Sequence, residues 1–248
     1  MQHYLFLVLA GLMAGTMNAV AGGGSFVSFP TMVFLGLPPI AANASSTVAL
    51  FPASIASTWA YRDDLRGMAG ISLRRLLAIG LAGGSIGAVL LLVTPGAAFD
   101  LVIPWLLLLA TLTFAGGRHL GDWLRRYIRI GRRPFLVIQF VLSMYGGYFG
   151  GAVGLMMMAV WTLIDTTELK AMGATRSAVV AATNGAAVVC FIVAGAVRWP
   201  EMLAMLGSAI AGGYYGARFA RHLPAPVLRW FVVALSATVT TAFFLRRY

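Results

Sequence analysis

The sequence predicts an all-α polytopic membrane protein built from two inverted-topology repeats, and three observations carry that prediction. Only 10% of the 248 residues are charged while 60% are hydrophobic, with a mean hydropathy of +0.88. A water-facing surface uses about 25% charged residues, so this chain has too few to cover itself in water. The second half of the chain then repeats the first at a nearly constant shift, and equivalent loops of the two halves carry opposite charge bias.

The repeat is clearest late in each half. "AGGSIGA" at 82–88 overlies "AGGYYGA" at 211–217, a shift of 129 that also pairs Pro95 with Pro224, Thr111 with Thr240 and Phe114 with Phe243. With one residue of slippage Gly24 meets Gly154, and "ANASSTVAL" (42–50) lies over "MGATRSAVV" (172–180). The halves are residues 1–117 and 135–248, joined by a basic linker at 118–134. Five apolar segments fit each half: about 3–20, 24–40, 43–60, 71–94 and 99–115, then 135–151, 154–168, 173–197, 201–217 and 226–245. The first two segments of each half are either full crossings or re-entrant half-helices, and both choices preserve the odd number of crossings.

Orientation follows from the excess of Lys and Arg in cytoplasmic loops. The loop at 61–75 carries Arg62, Arg66, Arg74 and Arg75, and the linker carries Arg118, Arg125, Arg126, Arg129, Arg132 and Arg133. The hairpin between them, at 94–100, has no basic residue. In the second half the counterpart of that hairpin is flanked by Arg218, Arg221 and His222, while the counterpart of 61–75 keeps only Arg198 beside Glu201. This flip is the charge pattern of an inverted second half in a multi-pass inner (plasma) membrane protein. Arg246 and Arg247 then fall outside, against the rule. The first apolar run ends in Ala19-Val20-Ala21 but has no basic residue before it, so it reads as a retained segment rather than a cleaved signal.

No catalytic constellation stands out. The three histidines fall at segment ends or in loops, and Cys190 is alone, so neither a metal cluster nor a disulfide framework is expected, nor any cofactor. No acid sits convincingly inside a segment, which leaves a buried carboxylate relay without support. The net charge of +11 lies largely in arginines that topology explains, so neither a nucleic-acid partner nor an anionic one follows from it.

What remains is glycine and hydroxyl chemistry. "NAVAGGGSFVSFP" (18–30) puts three glycines inside an apolar run, although each costs a helix interior roughly 1 kcal/mol relative to alanine. Its counterpart is "GGYFGGAVGL" (146–155). Paired, glycine-interrupted segments in an inverted repeat point to a transporter whose site lies at the repeat interface. Backbone N–H groups freed at Gly22, Gly23, Gly24, Gly150, Gly151 and Gly154 would attract an anion, with Ser25 adding a hydroxyl. A second polar cluster offers Asn43, Ser45, Ser46 and Thr47 in one half, and Thr175, Arg176 and Asn184 in the other. Helix capping competes with ligand contact for these hydroxyl and amide groups. Arg176 either neutralises an anion or snorkels to the interface. Gly83, Gly84, Gly87, Gly212, Gly213 and Gly216, at small-xxx-small spacing, read as helix packing.

With these residues in view, the chain resembles the sulfite exporter family, TauE/SafE, also called the toluenesulfonate-uptake permease family. The likeness rests on residues 10–65, on "GGYFGGAVGLMMM" (146–158), on "ATRSAVVAATNGAAVVCFIVAGAVRW" (174–199) and on the two "AGGxxGA" elements. Where relatives commonly show a Thr-Asn pair, this chain reads Ser45-Ser46. The resemblance implies a bilayer-embedded carrier of a small sulfur-containing anion such as sulfite, a sulfonate or thiosulfate, with a homo-oligomer left open. A passive anion channel and a non-transporting membrane subunit are the rival expectations.

Overall fold

The computed structural model describes residues 2–21, 23–68, 70–127, 130–164, 169–220 and 225–247. Gly22 lies outside the described residues. Among them the chain forms ten α-helices and one 3-10 turn. The helices are α1 (Gln2–Ala21), α2 (Ser25–Phe34), α3 (Pro39–Ala60), α4 (Leu73–Val93) and α5 (Gly96–Tyr127), then α6 (Arg132–Tyr148), α7 (Val153–Trp161), α8 (Leu169–Val193), α9 (Trp199–Ala220) and α10 (Ala225–Arg247). The 3-10 turn, Arg62–Asp64, lies between α3 and α4. Three helical stretches, Leu73–Val93, Gly96–Gly116 and Ala171–Val193, are long and apolar enough to cross a membrane.

The ten segments fall where hydropathy places them, with two differences. Helix α5 runs on to Tyr127, into the basic stretch read as a linker, because no proline or left-handed glycine stops it earlier. Helices α2 and α7 are shorter than expected, at 10 and 9 residues. Ten residues rise about 15 Å, half of a hydrocarbon core of about 30 Å. These are half-length helices. Helix α2 is stopped by Gly36 in the left-handed region (φ 92°) ahead of Pro38-Pro39, and α7 is started by Gly150 (φ 79°) and Ala152 (φ 59°).

Large apolar side chains are exposed on the outside of the molecule, and a set of polar ones is buried within a largely apolar core. Leu5, Phe6, Leu81, Val93, Leu112, Val189, Val193 and Trp230 are exposed, while Ser28, Asn43, Ser45, Ser46, Gln139, Ser143, Thr175 and Thr183 are buried. An exposed set of this kind suits a lipid surround, and in such a medium the buried set must find partners within the protein.

Small residues set the closest helix contacts. A methyl at Gly15 would strike the Ala209 carbonyl and one at Gly212 the Leu12 carbonyl, so α1 and α9 run backbone to backbone. A methyl at Gly87 would strike the Met144 carbonyl and one at Gly147 the Gly84 carbonyl, which joins α4 to α6 in the same way. Gly84 also meets Thr183 of α8. Gly83, Gly84, Gly87 and Gly212 therefore pack helices, as their spacing predicts.

The helix partnerships follow a pattern. Counting five helices per half, α1 with α9 corresponds to α6 with α4, and α3 with α9 to α8 with α4; all four pairs are in contact. Helix α3 also meets its own equivalent α8, and α5 meets α10. At the α5–α10 contact the hydroxyls of Thr111 and Thr240 are 2.9 Å apart and buried.

Candidate functional site

The second break is defined by how its backbone is satisfied. Helix α6 ends at Tyr148, whose carbonyl accepts a hydrogen bond from Asn43 Nδ2 at 3.0 Å. The Gly151 carbonyl accepts one from Tyr145 Oη at 2.8 Å. Exposed carbonyls at a helix end are costly inside an apolar medium, and here two side chains answer them. Among the described residues no acceptor meets the N–H of Gly151 or Ala152, immediately ahead of α7. That end of α7 also carries the positive end of the helix dipole.

Arg176 of α8 reaches the same place. A methyl on Gly154 would lie 3.8 Å from Arg176 Nη1 and 3.9 Å from its Cδ, so the guanidinium stem lies against the first turn of α7. Its Nε is buried and has no hydrogen-bond partner among the described residues. Asn184, two turns further along α8, also has a buried Oδ1 without a partner among the described residues. A methyl on Gly154 would meet nothing closer than Val180 at 3.7 Å, an ordinary van der Waals contact.

The first break is tighter. A methyl on Gly23 would touch the Phe114 ring at 3.0 Å, and one on Gly24 would meet the Ala14 carbonyl, so α2 begins pressed onto α1 and α5. Ser25, at the start of α2, is half-buried. Ser46, which the repeat aligns with Arg176, is 2.6 Å from the hydroxyl of Ser28, which also bonds the Gly24 carbonyl at 3.1 Å. Both breaks converge on one stretch of α5: Gly23 on Phe114, and Gly151 on Ala110 at 3.7 Å one turn away. The rings of Phe26 and Phe114 (5.4 Å) and of Phe29 and Phe149 (5.6 Å) fill the space around them.

Five of the polar residues singled out from the sequence are thus committed inside the fold, Ser46 through its bond to Ser28. Asn43 caps α6, and Thr47 returns its hydroxyl to the Asn43 carbonyl within α3. Ser45 accepts the Arg198 N–H at 2.8 Å, and Thr175 bonds both the N–H and the carbonyl of Arg66. Tyr145, Ser28, Ala110 and Phe114 were not read as site residues. A tyrosine six positions ahead of a glycine break was the available signal, since its hydroxyl can reach a freed carbonyl there.

The model of the family described as "Sulfite exporter TauE/SafE" matches residues 7–243. This chain belongs to the TauE/SafE family. The TauE/SafE match takes in both breaks, α5 and the polar starts of α3 and α8. A "probable membrane transporter protein" of a Sinorhizobium species is 28% identical over 93% of this chain and 88% of its own length. One from Haemophilus influenzae is 27% identical over 94% and 91%, and one from Escherichia coli K12 is 24% identical over 94% and 87%. No solved structure matches the chain. Membership makes it a membrane protein of a transporter family.

Proposed function

We propose that this TauE/SafE protein is a secondary transporter of a small sulfur-containing oxyanion such as sulfite, a sulfonate or thiosulfate. The observation that carries the reading is Arg176: a guanidinium lying on the first turn of α7, its Nε buried and unpartnered. A buried guanidinium N–H without an acceptor is costly, and a bound anion removes that cost. The anion's oxygens would take the free N–H groups of Gly151 and Ala152, beside the Arg176 guanidinium that lies against Gly154. Asn184 would complete the pocket, and Gly23, Gly24 and Ser25 would close it from the first break. The family's description as a sulfite exporter supports the sulfur class.

The mechanism we propose is alternating access between two inverted halves in the inner membrane, with the Arg62–Arg75 loop on the cytoplasmic side. The exchange of helix partnerships between the halves supports it, as does the contact of equivalent residues Thr111 and Thr240. Both chain termini then lie outside, and a lipid bilayer covers the exposed leucines, valines and tryptophans. Homo-oligomerisation is compatible with that surface.

The test is counterflow in proteoliposomes. Vesicles preloaded with unlabelled sulfite should accumulate labelled sulfite, and uptake should saturate. Arg176→Gln should cut the rate by about tenfold or more, the cost of losing one charge-assisted contact. Flux without saturation or counterflow would indicate a channel, and no flux of any sulfur anion would leave a non-transporting subunit.

A further inference from the structure

We propose that Ser45 and Thr175 are latches, each holding shut the loop that closes one side of the transporter. This rests on the transport reading above. Thr175, near the start of α8, accepts the Arg66 N–H at 3.2 Å and donates to the Arg66 carbonyl at 2.8 Å. Ser45, near the start of α3, accepts the Arg198 N–H at 2.8 Å. The repeat aligns Ser45 with Thr175 at a shift of 130, and Arg66 and Arg198 lie in equivalent connections, α3–α4 and α8–α9. Each hydroxyl belongs to one half and each pinned loop to the other. The same crossing bond is made twice.

Each loop also inserts apolar side chains beside its bond. Met68 and Ile71 turn back on each other and are buried among Leu76, Phe135, Trp161 and Met172. Val197, next to Arg198, is buried with Leu37 and Met202 at the other end. Neutral hydrogen bonds and a small apolar plug are contacts that can break without unfolding the helices beneath them.

Geometry also gives each latch a reason to respond to cargo. The residue after Thr175 is Arg176, which faces the head of α7, and the residue after Ser45 is Ser46, which faces α2 through Ser28. Site and latch are consecutive residues on one helical turn. Drawing Arg176 toward an anion rotates the turn that carries Thr175, so occupancy is transmitted to the loop through a single peptide unit. Both latches are formed in this structure.

The experiment reads sidedness and needs no substrate. Cys190 is replaced by alanine, and Val180, which lies beside Gly154, by cysteine. A membrane-impermeant maleimide is then applied to oriented vesicles from either side. Thr175→Val should raise labelling from the cytoplasmic side about tenfold or more, the shift expected when both hydrogen bonds to Arg66 are lost, with outside labelling unchanged. Ser45→Ala should do the reverse. Thr175→Ser keeps the hydroxyl and should label like the parent, and so should Ser177→Ala, whose hydroxyl bonds the Gly173 carbonyl of its own helix. Unchanged rates in both latch variants, equal rises from both sides, or Thr175→Ser behaving as Thr175→Val would overturn the proposal. Sided labelling with no sulfur-anion flux would keep the latches and discard the cargo.

Discussion

At the residue scale, glycines at similar spacings do different jobs, and what surrounds each one separates them. Gly84 and Gly212 face carbonyls of neighbouring helices, whereas Gly154 faces ordinary van der Waals contacts near 3.8 Å, on a helical turn. Gly154→Ala should therefore fold as well as the parent or better, by about 0.4–1 kcal/mol, because alanine loses less backbone entropy. If an oxyanion sits beside the guanidinium that lies against Gly154, the same methyl should still impair sulfite flux. Thermal unfolding and proteoliposome uptake on one preparation check both halves of this prediction. A stable variant with parental flux would mean that the anion binds elsewhere. Arg176 is the complementary case: the sequence showed a lone cation in a polar cluster, but that its Nε is buried and unpartnered needed the fold.

At the element scale, the half-length helices α2 and α7 work because their ends are provided for from elsewhere. Tyr145 and Asn43 take the carbonyls at the second break, and Trp161 Nε1 donates to Gln139 Oε1 at 2.6 Å to tie the end of α7 to α6. The glycine contacts of α4 with α6 and of α1 with α9 supply the rigid walls. Gly84→Ala and Gly212→Ala each push a methyl into a backbone carbonyl and should destabilise the fold by about 1–3 kcal/mol. Melting temperatures in detergent would fall for both, in contrast to Gly154→Ala, and unchanged values would mean that these helices are not in backbone contact. Much of this level was legible beforehand. The ten segments, the two breaks and the packing role of Gly83, Gly84, Gly87 and Gly212 all follow from apolar length and glycine spacing. The length of α5 was not, since a basic stretch reads as a loop whether or not it is helical. The partners of Ser45 and Thr175 were not legible either: hydroxyl spacing along a helix is the same for a cap, a ligand contact or a bond to a distant loop, and only the crossing of the two halves brings Arg66 and Arg198 within reach.

At the scale of the whole molecule, an apolar exterior with polar side chains buried in the core, the match to the TauE/SafE family over residues 7–243 and the buried, unpartnered Nε of Arg176 at the head of α7 bear on one claim. That claim is a specific oxyanion site formed by Arg176 and the start of α7, between halves that move against each other. The most direct test is the melting temperature of the detergent-purified protein against sulfite, sulfate, thiosulfate, taurine, sulfoacetate and chloride, for the parent and Arg176→Gln. A ligand that binds only the folded form stabilises it by roughly 2.7 kcal/mol at a hundredfold excess over Kd. The account predicts a clear upward shift with one sulfur oxyanion, little with chloride, and loss of that shift in Arg176→Gln. A flat response to every anion, or an equal shift in the parent and in Arg176→Gln, would contradict it.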